Sequence, residues 1–514
     1  MLNHTATKPQ LKGTFRTVWG ERNEMDENLK QKALYATRWS AITEIVAKLV
    51  VPISNMVLAR LLTPEAFGVV ATLTMVISFA ELFTDAGFQK YLIQHEFRDD
   101  TDREESTTIA FWSNFIFSIF LWLLIAIFDN QIASLVGNPD LGVVLTVACV
   151  SIPLAAFSSI QMALFKRDFE FKTLFKVRIV GIMIPIFVTI PLAIWLRSYW
   201  ALVIGTIVQN LSNAILLTVF SKWKPRWFYS FDKFKEMFSF TVWSLFEAVS
   251  IWLTGYVDIF IVGRFLSQYY LGLYTTSSTT VGQIMGLIQY ATVPILFSTL
   301  SRLQNDDKEF KRTYYKFEKM ISILLVPIGA GIFCFSHLIT TILLGDQWYD
   351  AEGFIGLWGL MSTITILLAQ YSSEVYRAKG MPKLSVLAQW LHIIVLCPVV
   401  LIAVKYGFET LYVARSLVRI ESIIVHMAIM AIVLKFSPIK MITNIIPSIV
   451  ASTAMIVAAK LLLGVGDSII WQLVCVPLCA IVYIGVILLF PEESGIVKRY
   501  AKDVYIRTIT KFKS

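Results

Sequence analysis

Apolar residues in this chain are gathered into long runs, and most charged residues are held to the short segments between them. Crossing a bilayer as a helix takes about 20 mostly apolar residues. Fourteen runs reach that length, the first over 39–62, the twelfth over 409–434 and the last over 468–490. An even number returns the C-terminus to the side of the N-terminus. Of the 45 Lys and Arg, 37 fall in segments on that shared side, and only Arg60, Arg197, Arg264, Lys405 and Lys460 fall at the opposite ends. Basic loops stay cytoplasmic, so both termini are expected there. The remaining three, Lys48, Arg415 and Arg419, lie inside runs.

One stretch of this pattern occurs twice. ARLLTPEAFG, Ala59 to Gly68, closes the first run and opens the second; GRFLSQYYLG, Gly263 to Gly272, does the same for the seventh and eighth. Arg60 aligns with Arg264, Leu62 with Leu266, Thr63 with Ser267 and Gly68 with Gly272. Further on, the basic turn ALFKRDFEFK is matched in layout by EVYRAKGMPK. Duplicated halves of this kind are a common plan for secondary transporters, with the substrate site between them. The expected organisation is a polar N-terminus (1–38), an N-lobe of spans 1–6 (39–221), a cytoplasmic linker (222–237), a C-lobe of spans 7–12 (238–434), two accessory spans (435–490) and a basic tail (491–514). The fold class is an all-α integral membrane protein of about 14 transmembrane helices, two pseudo-symmetric six-helix lobes around a central cavity.

Composition agrees, with 56% hydrophobic and 16% charged residues against about 25% charged in soluble domains. No short apolar stretch with a small-residue cleavage site opens the chain, so the first span is expected to direct insertion. The net charge of +9 is dispersed among loops, which reads as a topology signal and excludes a nucleic-acid surface. The five cysteines lie within apolar runs without metal-ligand spacing and read as packing residues. No metal or cofactor is expected. P-loop, GxGxxG, HExxH and GxSxG signatures are missing, so the chain does not read as an enzyme. Trp and Tyr near the run ends read as an interfacial belt.

Ionisable groups inside spans carry the functional information, because a charge at the bilayer centre is costly without a partner or a wet cavity. Glu44 and Lys48, four apart, form either a local ion pair or a cavity wall. Arg415 and Arg419 are four apart, with His426 seven further on, and no acidic residue matches them on their own helix. They call for an external anion such as a phosphate, for a carboxylate on another helix, or for snorkelling to the surface. Glu81, Glu247 and Asp258 are candidates for carrying a proton or ion, with helix capping or pairing to Arg60, Arg264 or Lys48 as the alternative. Arg60 and Arg264 read as pins of their hairpin turns.

The run from Leu58 to Gln94, LARLLTPEAFGVVATLTMVISFAELFTDAGFQKYLIQ, the turn FKRDFEFK, and GRFLSQYYLGLY followed by PILFSTLSRLQND resemble the polysaccharide-transporter family. These are the Wzx-type flippases of the multidrug/oligosaccharidyl-lipid/polysaccharide exporter superfamily. The resemblance implies translocation of undecaprenyl-diphosphate-linked oligosaccharide across a bacterial inner membrane. It implies alternating access between two lobes; on the reading of the intramembrane charges, a cationic cavity would hold the head group, with Arg415, Arg419, Lys48 and His426 as candidate substrate contacts and Glu44, Glu247, Asp258 and Glu81 as candidate ion-coupling groups. Expected partners are the lipid-linked oligosaccharide, membrane lipids, a polysaccharide polymerase and a chain-length regulator. The alternatives are a cation-coupled multidrug-type antiporter, which calls for an acidic cavity, and a membrane polymerase or glycosyltransferase, which calls for a sizeable extramembrane loop.

Overall fold

Helix starts are encoded by short polar side chains placed just ahead of apolar runs. Asp99 accepts a hydrogen bond from the backbone N–H of Asp102 at 2.7 Å, and Asp306 accepts from those of Lys308 and Glu309. Ser437 and Ser468 do the same for Lys440 and Trp471. Removing one such cap costs about 1 kcal/mol. Asp306→Ala should therefore lower the melting temperature of the detergent-solubilised protein, and an unchanged melting curve would show that water caps this helix equally well.

The computed structural model describes residues 39–40, 42–44, 46–85, 87–466 and 468–499. The polar N-terminus, 1–38, and most of the basic tail lie outside the described residues. Within the described residues the secondary structure is helical, without strands. The first half comprises α1 (Ile42–Leu61), α2 (Pro64–Asp85), α3 (Phe88–Gln94), α4 (Asp100–Ile127), α5 (Asp129–Leu135), α6 (Gly142–Ala148), α7 (Ser151–Arg167), α8 (Phe171–Ile184), α9 (Ile190–Leu196) and α10 (Trp200–Phe220). The second comprises α11 (Phe231–Phe265), α12 (Gln268–Arg302), α13 (Asp307–Cys334), α14 (Ser336–Leu343), α15 (Glu352–Thr365), α16 (Tyr371–Ala378), α17 (Lys383–Ala403), α18 (Phe408–Leu417) and α19 (Arg419–Ile432). The last two helices are α20 (Pro438–Leu463) and α21 (Ile469–Ile487).

Thirteen stretches are long and apolar enough to cross a membrane. The difference from the predicted fourteen lies at 409–434, where the chain forms the successive short helices α18 and α19 instead of one long one. The break at Val418 leaves helices of 10 and 14 residues, so it is length alone that takes this stretch off the count, although it carries Arg415, Arg419 and Glu421.

The second half is built on one large core from Ile261 to Ile445, which also takes in Ala59 of α1, and on a separate cluster that joins Ala330, Phe335 and Leu338 to α20 and α21, whereas the first half is held by several smaller apolar clusters. The helix α11 belongs to both. Its first turns are tied to α4, with Lys233 Nζ 2.6 Å from Asp102 and 2.7 Å from Glu105. Further along, Trp252 donates to Ser78 of α2 at 3.0 Å.

The two copies of the repeated hairpin face each other. A Cβ added to Gly68 would stand 1.9 Å from the carbonyl oxygen of Gln268, and one added to Gly272 would stand 1.8 Å from that of Pro64. Pro64 and Gln268 occupy the same position of the repeat, so the contact is reciprocal, as about a two-fold axis. Only glycine permits this approach, and it brings the starts of α2 and α12 together at the end of the protein that carries Arg60 and Arg264.

Candidate functional site: a polar cavity between the repeated hairpins

Residues of α1, α2, α11 and α12 together line a cavity of about 700 Å³. Each helix offers one face, as 3.6-residue periodicity requires: Lys48, Leu49, Pro52, Ile53 and Met56 with Asn55 on α1, and Phe67, Val70, Ala71 and Thr74 on α2. From α12 come Thr275, Thr276, Thr279, Thr280 and Gln283. Leu343 and Leu344 close the end nearest the junction.

The polar wall is mostly uncommitted. Thr275 donates to its own helix at Leu271, 2.9 Å away, but Asn55, Thr74, Thr276, Thr279, Thr280 and Gln283 have no side-chain hydrogen bond to another described residue. Hydroxyls and carboxamides supply both donors and acceptors, the complement of a sugar. Lys48 is the one charged side chain lining the cavity among the described residues. Its Nζ lies 3.6 Å from the centroid of the Tyr290 ring and 3.7 Å from Glu44 Oε2. Leu49, Ile53 and Leu287, more than half exposed although they line the cavity, form an apolar rim on one side.

The other predicted site residues lie elsewhere. Arg415, expected to lack an acidic partner on its own helix, is satisfied from 157 residues away: its Nε donates to Asp258 Oδ2 at 2.9 Å and lies 3.1 Å from Tyr274 Oη. Tyr274 donates to the same carboxylate oxygen at 2.6 Å, and Asp258 and Arg415 are both buried. Of the readings left open for the two guanidiniums, Arg415 takes the carboxylate on another helix, and it is neutralised across α11, α12 and α18. Arg419 donates to Ser362 at 2.7 Å and stacks 3.4 Å from the centroid of Trp358. His426 is buried against Tyr376, whose hydroxyl is 3.1 Å from Nδ1. None of these four, Asp258 included, lines the cavity. Glu421 and His392, 2.7 Å apart, form a further pair the sequence reading did not connect. Glu81 is half-buried on α2, Glu44 stays with Lys48, and the side chain of Glu247 lies outside the described residues.

The threonine face of α12 was missed altogether. Its signal was present in TTSSTTVGQ, where polar residues recur at helical spacing inside a span.

Comparison with known proteins places these features. A family model described as polysaccharide biosynthesis protein matches residues 57–352. The succinoglycan biosynthesis transport protein ExoT of Rhizobium meliloti is 23% identical over 336 residues, 65% of this chain and 66% of that one. The teichuronic acid biosynthesis protein TuaB of Bacillus subtilis is 21% identical over 69% of this chain and 72% of its own. The lipopolysaccharide biosynthesis protein WzxC of Escherichia coli is 20% identical over 62% and 65%. Among solved structures, the lipid II flippase MurJ in its inward closed conformation superposes with a TM-score of 0.68 at 13% identity, covering 88% of this chain and 98% of MurJ. An inward-facing multidrug-resistance MATE transporter of the MOP superfamily gives 0.55 at 11% identity, over 82% and 98%. The structural likeness concerns the fold. With the family match spanning more than half of the sequence, this chain belongs to the polysaccharide biosynthesis proteins.

Proposed function

We propose that this protein moves a lipid-linked oligosaccharide from one leaflet of a bacterial inner membrane to the other by alternating access, with undecaprenyl diphosphate as the carrier. The observation that carries this reading is the cavity itself: a wall of free hydroxyls and amides between duplicated hairpins, one ammonium, and an apolar rim on one side. The glycan occupies the polar wall, Lys48 meets the charged linkage, and the polyprenyl chain leaves past Leu49, Ile53 and Leu287 into the bilayer. Taking a diphosphate into a low-dielectric interior is costly unless polar groups replace its water, and that is the cavity's part in transport. By the distribution of basic residues, the closed end faces away from the cytoplasm and the cavity is poised to load from inside. A cation antiporter is less well supported, because no carboxylate lines the cavity among the described residues.

Purified protein in vesicles with a radiolabelled polyprenyl-diphosphate oligosaccharide on one leaflet provides the test. Sugar exposed on the opposite leaflet, read by periodate oxidation, should rise within minutes in protein-containing vesicles and stay near background in empty ones. Equal exposure in both would remove the flippase reading.

A further inference from the structure

Arg60 and Arg264 do more than pin their own hairpins. Arg60, at the end of α1, donates through Nη2 to the carbonyl oxygens of Thr341 at 3.1 Å and Ile342 at 2.6 Å, in the last turn of α14. Arg264, at the end of α11, donates through Nη1 to the carbonyl oxygen of Ser134 at 3.3 Å, in the last turn of α5. Each arginine therefore leaves its own half and caps a helix of the other. Beyond each capped helix stands a glycine in the left-handed region, Gly137 at φ +87° and Gly345 at φ +102°. The bond is of a kind that favours arginine, because the final carbonyls of a helix lack partners within it and carry its negative pole.

We propose that Arg60 and Arg264 are the two reciprocal halves of a latch that holds the cavity shut at this end, and that their release opens it there. The latch presupposes the alternating access proposed above, but not a particular cargo. Three features support it. The two arginines occupy one position of the repeat, so the same contact is made twice across the junction. The junction is the narrow end of the cavity, where Gly68 and Gly272 meet the opposite hairpin. Both side chains are exposed, so water can replace the carbonyls when the halves part. One half is reinforced: Gln347 donates to the carbonyls of Ala59 and Leu62 at 2.5 and 2.7 Å, and Trp348 to Ala59 at 2.8 Å.

The test uses full-length protein carrying Thr279→Cys, exposed on the cavity wall, and a membrane-impermeant maleimide applied from the side of Arg60. With both arginines present labelling should be slow, and Arg60→Ala with Arg264→Ala should raise it at least tenfold. The native Cys149 and Cys475, both 0% exposed, report on unfolding and should stay unlabelled. Unchanged labelling at position 279, or labelling there that rises together with Cys149 and Cys475, overturns the latch. Raised labelling at position 279 alone supports it, even if the vesicles move no glycan lipid, in which case only the cargo falls.

Discussion

Arg415→Ala should leave little folded protein. In the native fold this guanidinium and Tyr274 are the groups that satisfy Asp258 Oδ2, while Oδ1 accepts from the backbone N–H of Ile259 at 2.9 Å. The alanine variant removes the one countercharge paired, among the described residues, with a carboxylate that is 5% exposed. Breaking a buried ion pair from one side costs about 3–5 kcal/mol, because the remaining charge stays desolvated. Removing both charges avoids that penalty, so Asp258→Asn combined with Arg415→Met should recover most of the loss. The measurement is the fraction of monodisperse protein after detergent extraction, with its melting temperature. A folded Arg415→Ala protein that has lost only transport would contradict this structural role and return Arg415 to the list of substrate contacts.

That pair also marks where sequence reading stops. Apolar runs and basic loops give the spans directly, since both follow from the cost of burying charge in lipid, and the echo of ARLLTPEAFG in GRFLSQYYLG announced the paired hairpins. A carboxylate on another helix was one of the partners open to Arg415, but that it is Asp258 follows from tertiary packing that no spacing rule encodes. The same limit hid the partners of Arg60 and Arg264. Repetition identified them as equivalent, and only the folded chain shows that each bonds the other half. Lys48 was legible because a cation inside a span needs a reason, and the structure places it on the cavity wall. The threonines of α12 were not, because hydroxyls inside a membrane helix ordinarily bond back to their own backbone, as Thr275 and Thr292 do; which hydroxyls remain free depends on where the neighbouring helix stands.

Lys48→Ala should cut export of the surface polysaccharide at least tenfold while the protein remains folded. The two expectations have separate physical grounds. Stability is little affected, because the Lys48 side chain is 33% exposed and its partner Glu44 is 59% exposed, and exposed pairs of this kind contribute about 0–1 kcal/mol. The stack on Tyr290 adds on the order of 1 kcal/mol. Cargo binding loses more, since no other charged side chain lines the cavity among the described residues. A tenfold loss corresponds to about 1.4 kcal/mol, a modest value for a charge-assisted bond to phosphate. Lys48→Arg keeps the charge and should retain most export, whereas Lys48→Glu should abolish it. Glu44→Gln frees the ammonium from its neighbour and should leave export unchanged or raise it, which separates anion binding from simple pairing. Full export by a stably inserted Lys48→Ala protein would mean that the charged linkage is held somewhere else, because a single ammonium on an otherwise neutral wall cannot be both the anion's main contact and dispensable.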